Sequence, residues 1–168
     1  MNIRLCLILA ITLLFSGCAG PYTVVAVVRH AEKMGGPNPA LTAAGEQRAN
    51  ALRDRLAGVN ITGVYSTNTQ RTRQTAQPLA TLKGVPVTIY SNPSTVANTA
   101  LNSHEGEAVL IVGHSNTVGD IVSAFGAQLP AGLPQPINED DFDNIVIIVI
   151  NGNGVASAVH DTYGIPSP

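Results

Sequence analysis

The sequence predicts an α/β fold, in which a mostly parallel sheet lies between two layers of helices as a three-layer sandwich. The first observation is that two unbroken aliphatic runs, Val24–Val28 and Ala108–Val112, are typical of strands buried on both faces. The second is that segments with a helical spacing of apolar residues alternate with the predicted strands. In such folds ligands bind beyond the carboxyl ends of the strands. We therefore expect functional residues directly after the strands.

The first half of the chain predicts three strands and two helices. After the first strand, the Gly- and Pro-rich stretch 34–40 is a loop, and a helix begins with Thr42 as its N-cap. The charged residues of this helix are expected on a solvated face. The next elements are the strand Ile61–Ser66, the helix Thr69–Leu82 and the strand Val85–Tyr90. Pro78 is expected to kink the second helix or delay its start.

The second half continues the alternation. Asn92–Glu107 is polar and predicts one short helix before the fourth strand. The later elements are the helix Thr117–Phe125, a Pro-containing loop at Gly126–Asn144 with the acidic patch Glu139–Asp141, and the strands Ile145–Ile150 and Val155–Val159. The Asn- and Gly-rich turn 151–154 joins the last two strands.

The N-terminal segment predicts export. The positive charge of MNIR, the apolar run LCLILAITLLF and the small residues SGC have the layout of a signal peptide at residues 1–17. FSGC resembles a bacterial lipobox, which implies a lipid anchor on Cys18 and a location in the cell envelope outside the cytoplasm. The domain 18–168 keeps all 11 acidic residues and loses one of the 9 basic residues, Arg4. A nucleic-acid partner is therefore not expected.

Cationic and imidazole side chains follow three of the predicted strands. The first strand leads into Arg29 and His30, the fourth leads into His114, and the helix after the second carries Arg71. A guanidinium group presents a planar fork of donors that matches phosphate oxygens. A neutral imidazole whose other nitrogen is fixed as N–H can act as a nucleophile. This combination favours phosphoryl transfer.

These residues resemble the histidine phosphatase superfamily, in its phosphoglycerate mutase-like branch, from Val24 to about Ile150. The motifs that carry the resemblance are Arg29-His30-Ala31-Glu32, Arg71-Thr-Arg-Gln-Thr-Ala and Gly113-His114-Ser115. The resemblance implies a phosphoglycerate mutase-like fold and a phosphohistidine intermediate on His30. It also implies that Arg29 and Arg71 hold the phosphoryl oxygens and that His114 donates to them in the transition state.

The resemblance leaves the proton donor open. Residues 91–108 are too few for the insertion that carries this carboxylate in longer members. We therefore expect Glu32, two residues after the nucleophile, to protonate the leaving group. Glu105 and Glu107 are the alternatives.

Other polar residues near the motifs receive smaller roles. Asn38 and Ser115 are candidates for additional hydrogen bonds to the phosphate. Ala31 replaces the commoner Gly, which puts a methyl group close to the phosphate. The adjacent arginines disfavour a metal ion, and no cofactor is expected. The residues expected at the surface are Arg73, His104, His160 and Asp161.

The expected function is an extracytoplasmic, metal-independent phosphomonoesterase for a small-molecule or exposed phosphate ester, attached to a membrane through Cys18. A non-catalytic phosphate-binding lipoprotein with the same pocket is the alternative from a different class. Among enzymes, a phosphoglycerate-type mutase is less favoured, because mutases retain the phosphoryl group in a closed site. A protein-phosphohistidine phosphatase is less favoured because its usual partners are cytoplasmic.

Overall fold

The computed structural model describes residues 21–167. The predicted signal peptide at residues 1–17 and the predicted lipid-modified Cys18 lie outside the described residues. None of the helices in residues 21–167 combines the length and the apolar character needed to cross a membrane.

The described part of the chain forms six strands and four helices, which alternate until the last two strands follow each other directly. The strands are β1 (Thr23–Arg29), β2 (Ile61–Ser66), β3 (Val87–Ile89), β4 (Ala108–Gly113), β5 (Asn144–Ile150) and β6 (Ala156–Thr162). The helices are α1 (Ala43–Leu56), α2 (Gln70–Lys83), α3 (Pro93–Ser103) and α4 (Val118–Ala124).

The strands form one mixed sheet with the order β3-β2-β4-β1-β5-β6. β1, β2, β3 and β4 run parallel to one another, whereas β5 runs antiparallel to β1 and β6 runs antiparallel to β5. Helices cover the sheet on both faces. The predicted three-layer α/β sandwich with a mostly parallel sheet is therefore confirmed.

Successive residues of the central strands point into two separate cores. Val25 and Val27 belong to the core beneath α3 and α4, and Ala26 and Val28 belong to the core beneath α1 and α2. All residues of β4 are buried. Burial on both faces explains why these strands are unbroken aliphatic runs and do not alternate with polar residues.

Several element boundaries differ from the prediction. α2 begins at Gln70 and includes Pro78, so the expected delay of its start is wrong. Packing of Leu79 and its neighbours against the sheet offsets the cost of a proline inside the helix, about 3 kcal/mol. β6 continues to Thr162 because it pairs with β5 along its whole length, although its mostly exposed residues give no strong apolar pattern.

The register of the two central strands places the predicted site. Arg29 of β1 lies opposite Gly113 of β4, and the next residue of each strand is a histidine. The backbone N–H of His30 donates to the carbonyl of Gly113 at 3.0 Å. Parallel pairing therefore brings the two imidazoles to the same edge of the sheet.

Candidate active site

The site is a cavity of about 370 Å³ at the carboxyl ends of β1 and β4. The imidazole centroids of His30 and His114 lie 5.5 Å apart, and their planes are inclined at 71°. The residues that line the cavity are Arg29, His30, Lys33, Arg71, His114, Ser115, Asn116 and Glu139. The structure thus brings together both histidines, both arginines and Ser115 of the predicted site.

His30 is held as a neutral imidazole with one defined tautomer. Its side chain is buried, and Nδ1 lies 2.8 Å from the carbonyl oxygen of Ala31. Because a carbonyl oxygen only accepts, Nδ1 carries the proton and Nε2 keeps its lone pair. Burial is the main cause that lowers the pKa of His30 to about 3, and the charges of Arg29 and Arg71 contribute to the lowering. This neutral imidazole has the protonation state of a nucleophile.

His114 is also neutral and is oriented by Thr67, before α2, and by Arg71, in the first turn of α2. Its Nε2 lies 2.9 Å from Oγ1 of Thr67, and Nη2 of Arg71 donates to its Nδ1 at 3.4 Å. Burial lowers the pKa of His114 to about 4, with further lowering by Arg71 and Arg29. Because Nδ1 accepts from Arg71, Nε2 carries the proton and donates a hydrogen bond to Oγ1 of Thr67.

The loop before β5 encloses the guanidinium group of Arg29. Nη1 of Arg29 donates to three backbone carbonyls, those of Asn138 at 2.7 Å, Glu139 at 3.0 Å and Asp141 at 3.1 Å. The ring of Phe142 lies 4.2 Å from the guanidinium carbon. Burial lowers the pKa of Arg29, and the negative charge of Glu139 opposes this effect. The loop therefore fixes the orientation of this cation.

Helix α2 positions both Arg71 and the loop after His30. Thr69 caps the N-terminus of α2, which puts Arg71 in the first turn. Oγ1 of Thr75 accepts from the backbone N–H of Ala31 at 3.0 Å and donates to the carbonyl of Arg71 at 2.8 Å. One hydroxyl thus links residues 31–33, called the nucleophile loop below because they follow the predicted nucleophile His30, to the helix that carries Arg71.

Glu32, the predicted proton donor, does not line this cavity. Its carboxylate accepts two hydrogen bonds from Nε of Arg48, at 2.8 and 3.0 Å. Arg48 also donates from Nη1 to the carbonyls of Tyr163 and Ile165. Glu32 and Arg48 line a separate cavity beside the C-terminal segment. Glu32 therefore ties the nucleophile loop to α1 and to the end of the chain.

Asn38 and the alternative acids, Glu105 and Glu107, do not line the cavity either. Oδ1 of Asn38 accepts from the backbone N–H of Gln70 at 2.9 Å, so Asn38 supports the start of α2 and does not line the cavity. Glu107, just before β4, binds Thr62 and His104 at the opposite end of that strand from His114. Glu105 lies in the same turn. Neither glutamate reaches the imidazoles.

Three smaller expectations have mixed outcomes. Arg73 is exposed, as predicted. His104 has only 15% of its side chain exposed and lies 2.9 Å from the hydroxyl of Tyr65, so its expected surface position is wrong. The methyl group of Ala31 packs with Leu41 and Ala49 and is completely buried, and it does not line the cavity.

Sequence reasoning did not assign four residues of the site. Lys33, Asn116 and Glu139 line the cavity, and Phe142 covers Arg29. Lys33 could have been found from its position three residues after His30. Glu139 and Phe142 come from a long loop, and no local pattern indicates that it folds back onto β1. Within residues 21–167, no group of three or more His, Cys, Asp or Glu is arranged to hold a metal ion.

Comparison with known proteins supports the motif assignment over part of the chain. The sequence pattern of the histidine phosphatase superfamily (branch 1) matches residues 25–92, which include His30 and Arg71. No curated protein matches the chain.

Solved structures with very different activities share the fold. A proposed phosphohistidine phosphatase, SixA from Nakamurella multipartitia, is 16% identical with a TM-score of 0.57, and the match covers 88% of this chain and 98% of that one. A mycobacterial glucosyl-3-phosphoglycerate phosphatase is 12% identical with a TM-score of 0.66, over 84% and 98% of the two chains. A phosphoglycerate mutase from Plasmodium falciparum is 18% identical with a TM-score of 0.56, over 88% and 94%.

At these sequence identities the structural similarity establishes only the fold, and it does not distinguish a hydrolase from a mutase. Residues 25–92 carry the sequence pattern of the histidine phosphatase superfamily, and the described chain has the phosphoglycerate mutase-like fold.

Proposed function

We propose that this protein is a metal-independent phosphomonoesterase that acts through a phosphohistidine on His30. The observation that carries the proposal is the contact of His30 Nδ1 with a carbonyl oxygen, inside a cavity lined by Arg29, Arg71 and His114. This contact assigns the proton to Nδ1 and leaves Nε2 unprotonated. A cationic cavity attracts a phosphate ester, and the buried neutral imidazole attacks its phosphorus.

The reaction has two displacements at phosphorus. In the first, Nε2 of His30 forms a bond to phosphorus while the bond to the ester oxygen breaks, and the leaving oxygen takes a proton. In the second, water attacks the phosphohistidine and releases inorganic phosphate. Arg29 and Arg71 stabilise the charge on the phosphoryl oxygens. The negative charge of the bound phosphoryl group favours the protonated form of His114, which then donates to it.

The substrate is proposed to be a small-molecule or exposed phosphate ester. Lys33, Asn116 and Glu139 at the cavity are exposed, so the group attached to the phosphate extends toward solvent. This exposure favours hydrolysis over a mutase reaction, which needs the phosphoryl group to be shielded from water.

The catalytic proposal is tested with the full chain in detergent and a chelator present, using aryl phosphate hydrolysis and acid-quench trapping of a labelled phosphoenzyme. We expect His30→Ala to lose both signals. Arg71→Ala should raise KM strongly, whereas Arg73→Ala, two residues away on the same helix and exposed, is the matched control. Equal hydrolysis by wild type and His30→Ala would refute the proposal.

The same experiment separates the alternatives. A phosphate-binding lipoprotein would bind inorganic phosphate and trap no phosphoenzyme. A mutase would transfer the label to a second phosphate-containing acceptor faster than it releases phosphate. A protein-phosphohistidine phosphatase would prefer phosphorylated histidine in a protein over all esters.

We also propose that the chain is an exported lipoprotein of the bacterial cell envelope, facing the periplasm and anchored by lipid on Cys18. The layout of residues 1–17 and the FSGC sequence support this proposal. Metabolic labelling with palmitate, compared between wild type and Cys18→Ser, tests it. Label of equal intensity in both proteins would contradict the anchor.

A further inference from the structure

The first displacement needs a proton for the leaving oxygen, and Glu32, the residue predicted to supply it, does not line the cavity of His30. Glu32 is bound by two hydrogen bonds to Arg48 in a different cavity. Within residues 21–167, Glu139 is the only carboxylate that lines the cavity of His30.

We infer that Glu139 is the proton donor to the leaving group, an inference that rests on the proposed phosphatase activity. Oε2 of Glu139 lies 3.3 Å from Nη2 of Arg29, a guanidinium group proposed to hold the phosphoryl oxygens. A carboxyl group within reach of this cation is also within reach of an ester bound to it. The side chain is 80% exposed, which places it on the solvent side of the cavity, where the leaving group must lie.

The backbone of Glu139 is held by Arg29, while its side chain is mostly exposed. Its carbonyl accepts from Nη1 of Arg29 at 3.0 Å, and the carbonyls of Asn138 and Asp141 on either side accept from the same nitrogen. Among residues 21–167 the carboxylate has one hydrogen-bonding contact, at 3.3 Å, and an exposed ion pair of this kind is weak. The loop therefore holds the carboxyl group at the site without locking it there.

In the proposed step, substrate binding releases Glu139 from Arg29, so that its carboxyl group can act as the acid. The phosphoryl dianion competes with the carboxylate for Arg29, and a second negative charge beside the first favours the protonated carboxyl group. As the phosphorus–oxygen bond breaks, the Glu139 proton moves to the leaving oxygen and the carboxylate remains. That carboxylate then accepts a proton from the water that attacks the phosphohistidine, which restores the acid and frees His30.

The neighbouring acids do not fit this role. Oδ1 of Asp141 accepts a hydrogen bond from the amide of Asn144. Asp140 is exposed and is not among the residues of the cavity. Asp140→Asn therefore makes the same change of charge on the same loop and serves as the matched control for Glu139→Gln.

The test compares hydrolysis of phosphate monoesters whose leaving groups differ in basicity, from 4-nitrophenol through phenol to an alkyl alcohol. We expect Glu139→Gln to lower kcat for the alkyl ester by about 10²–10⁴-fold and for the 4-nitrophenyl ester much less, because a nitrophenolate leaves without a proton. Asp140→Asn should resemble wild type with every ester.

Two results would overturn the inference. A loss of equal size with every leaving group would make Glu139 a positioning residue for Arg29. A higher kcat of Glu139→Gln with every leaving group would show that Glu139 competes with the phosphate for Arg29. Failure of the phosphatase proposal is recognised separately, because wild type would then trap no phosphoenzyme.

Discussion

Gly45 in α1 packs directly against the backbone of the nucleophile loop, which makes Gly45→Ala a sharp test of the local geometry. A Cβ atom at this position would lie 2.1 Å from the carbonyl oxygen of Glu32 and 3.0 Å from its carbonyl carbon. Both are backbone atoms, and the same oxygen accepts a hydrogen bond from the backbone N–H of Thr42 at 2.9 Å. The alanine can therefore be accommodated only if the helix or the loop moves.

Two opposing effects determine the sign of the stability change. In a helix interior, alanine is favoured over glycine by about 1 kcal/mol. An extra methyl group in a packed site costs about 1–3 kcal/mol when backbone must shift, and a contact of 2.1 Å belongs at the upper end of this range. We therefore expect Gly45→Ala to lower the free energy of unfolding by about 1–2 kcal/mol.

Urea denaturation followed by far-UV circular dichroism measures this change. Gly58→Ala is the control, because its added Cβ would have no atom within 4 Å, and alanine there is expected to be neutral or to stabilise by up to about 1 kcal/mol. If Gly45→Ala were as stable as Gly58→Ala, the close approach of α1 to the nucleophile loop would be refuted.

Three further predictions follow from the contacts of the site. Glu32→Gln, which weakens the partnership with buried Arg48, should lower the free energy of unfolding by about 1.5–3 kcal/mol in urea titrations, and an unchanged midpoint would contradict the linking role. Burial lowers the pKa of His30 to about 3 in the folded protein, whereas the pKa of an unfolded histidine is about 6.5. Between these two pH values the unfolded state therefore binds more protons than the folded state. Stability should therefore fall as the pH decreases through this window, by up to about 1.4 kcal/mol per pH unit from this residue, and His30→Gln should flatten the slope by that amount. Phe142→Ala removes the ring 4.2 Å from the guanidinium carbon of Arg29. The loss of a cation–π interaction of about 0.5–2 kcal/mol should raise KM by about 2- to 30-fold in steady-state assays. An unchanged KM would show that the ring does not help Arg29 to bind the substrate.

The part of the site carried by β1 and β4 could be predicted because its signal is local. Each strand is an aliphatic run that ends in a histidine, and a parallel sheet places equivalent strand ends at one edge. The centroid distance of 5.5 Å between His30 and His114 follows from the register of two adjacent strands. No information from outside these strands was needed.

The rest could not be predicted because it depends on contacts between distant parts of the chain. Arg48 has the spacing of a solvated residue on α1, yet it is buried because Glu32 and the carbonyls of Tyr163 and Ile165 surround it. The hydrogen bonds from Arg29 to residues 138–141 similarly join positions more than 100 apart in the chain. A sequence pattern records the charge of such residues and not their partners.

The charges of the cavity serve two requirements of the proposed chemistry at once. A phosphate ester needs cations, whereas a nucleophilic imidazole must remain unprotonated in their presence. Arg29 and Arg71 meet both needs, because they attract the oxyanion and, after burial itself, they lower the pKa values of His30 and His114. When the dianion binds, its charge offsets the arginines, and the proton affinity of the imidazoles rises only at that point. His114 can then become a donor while His30 is already bonded to phosphorus, so the order of events follows from electrostatics.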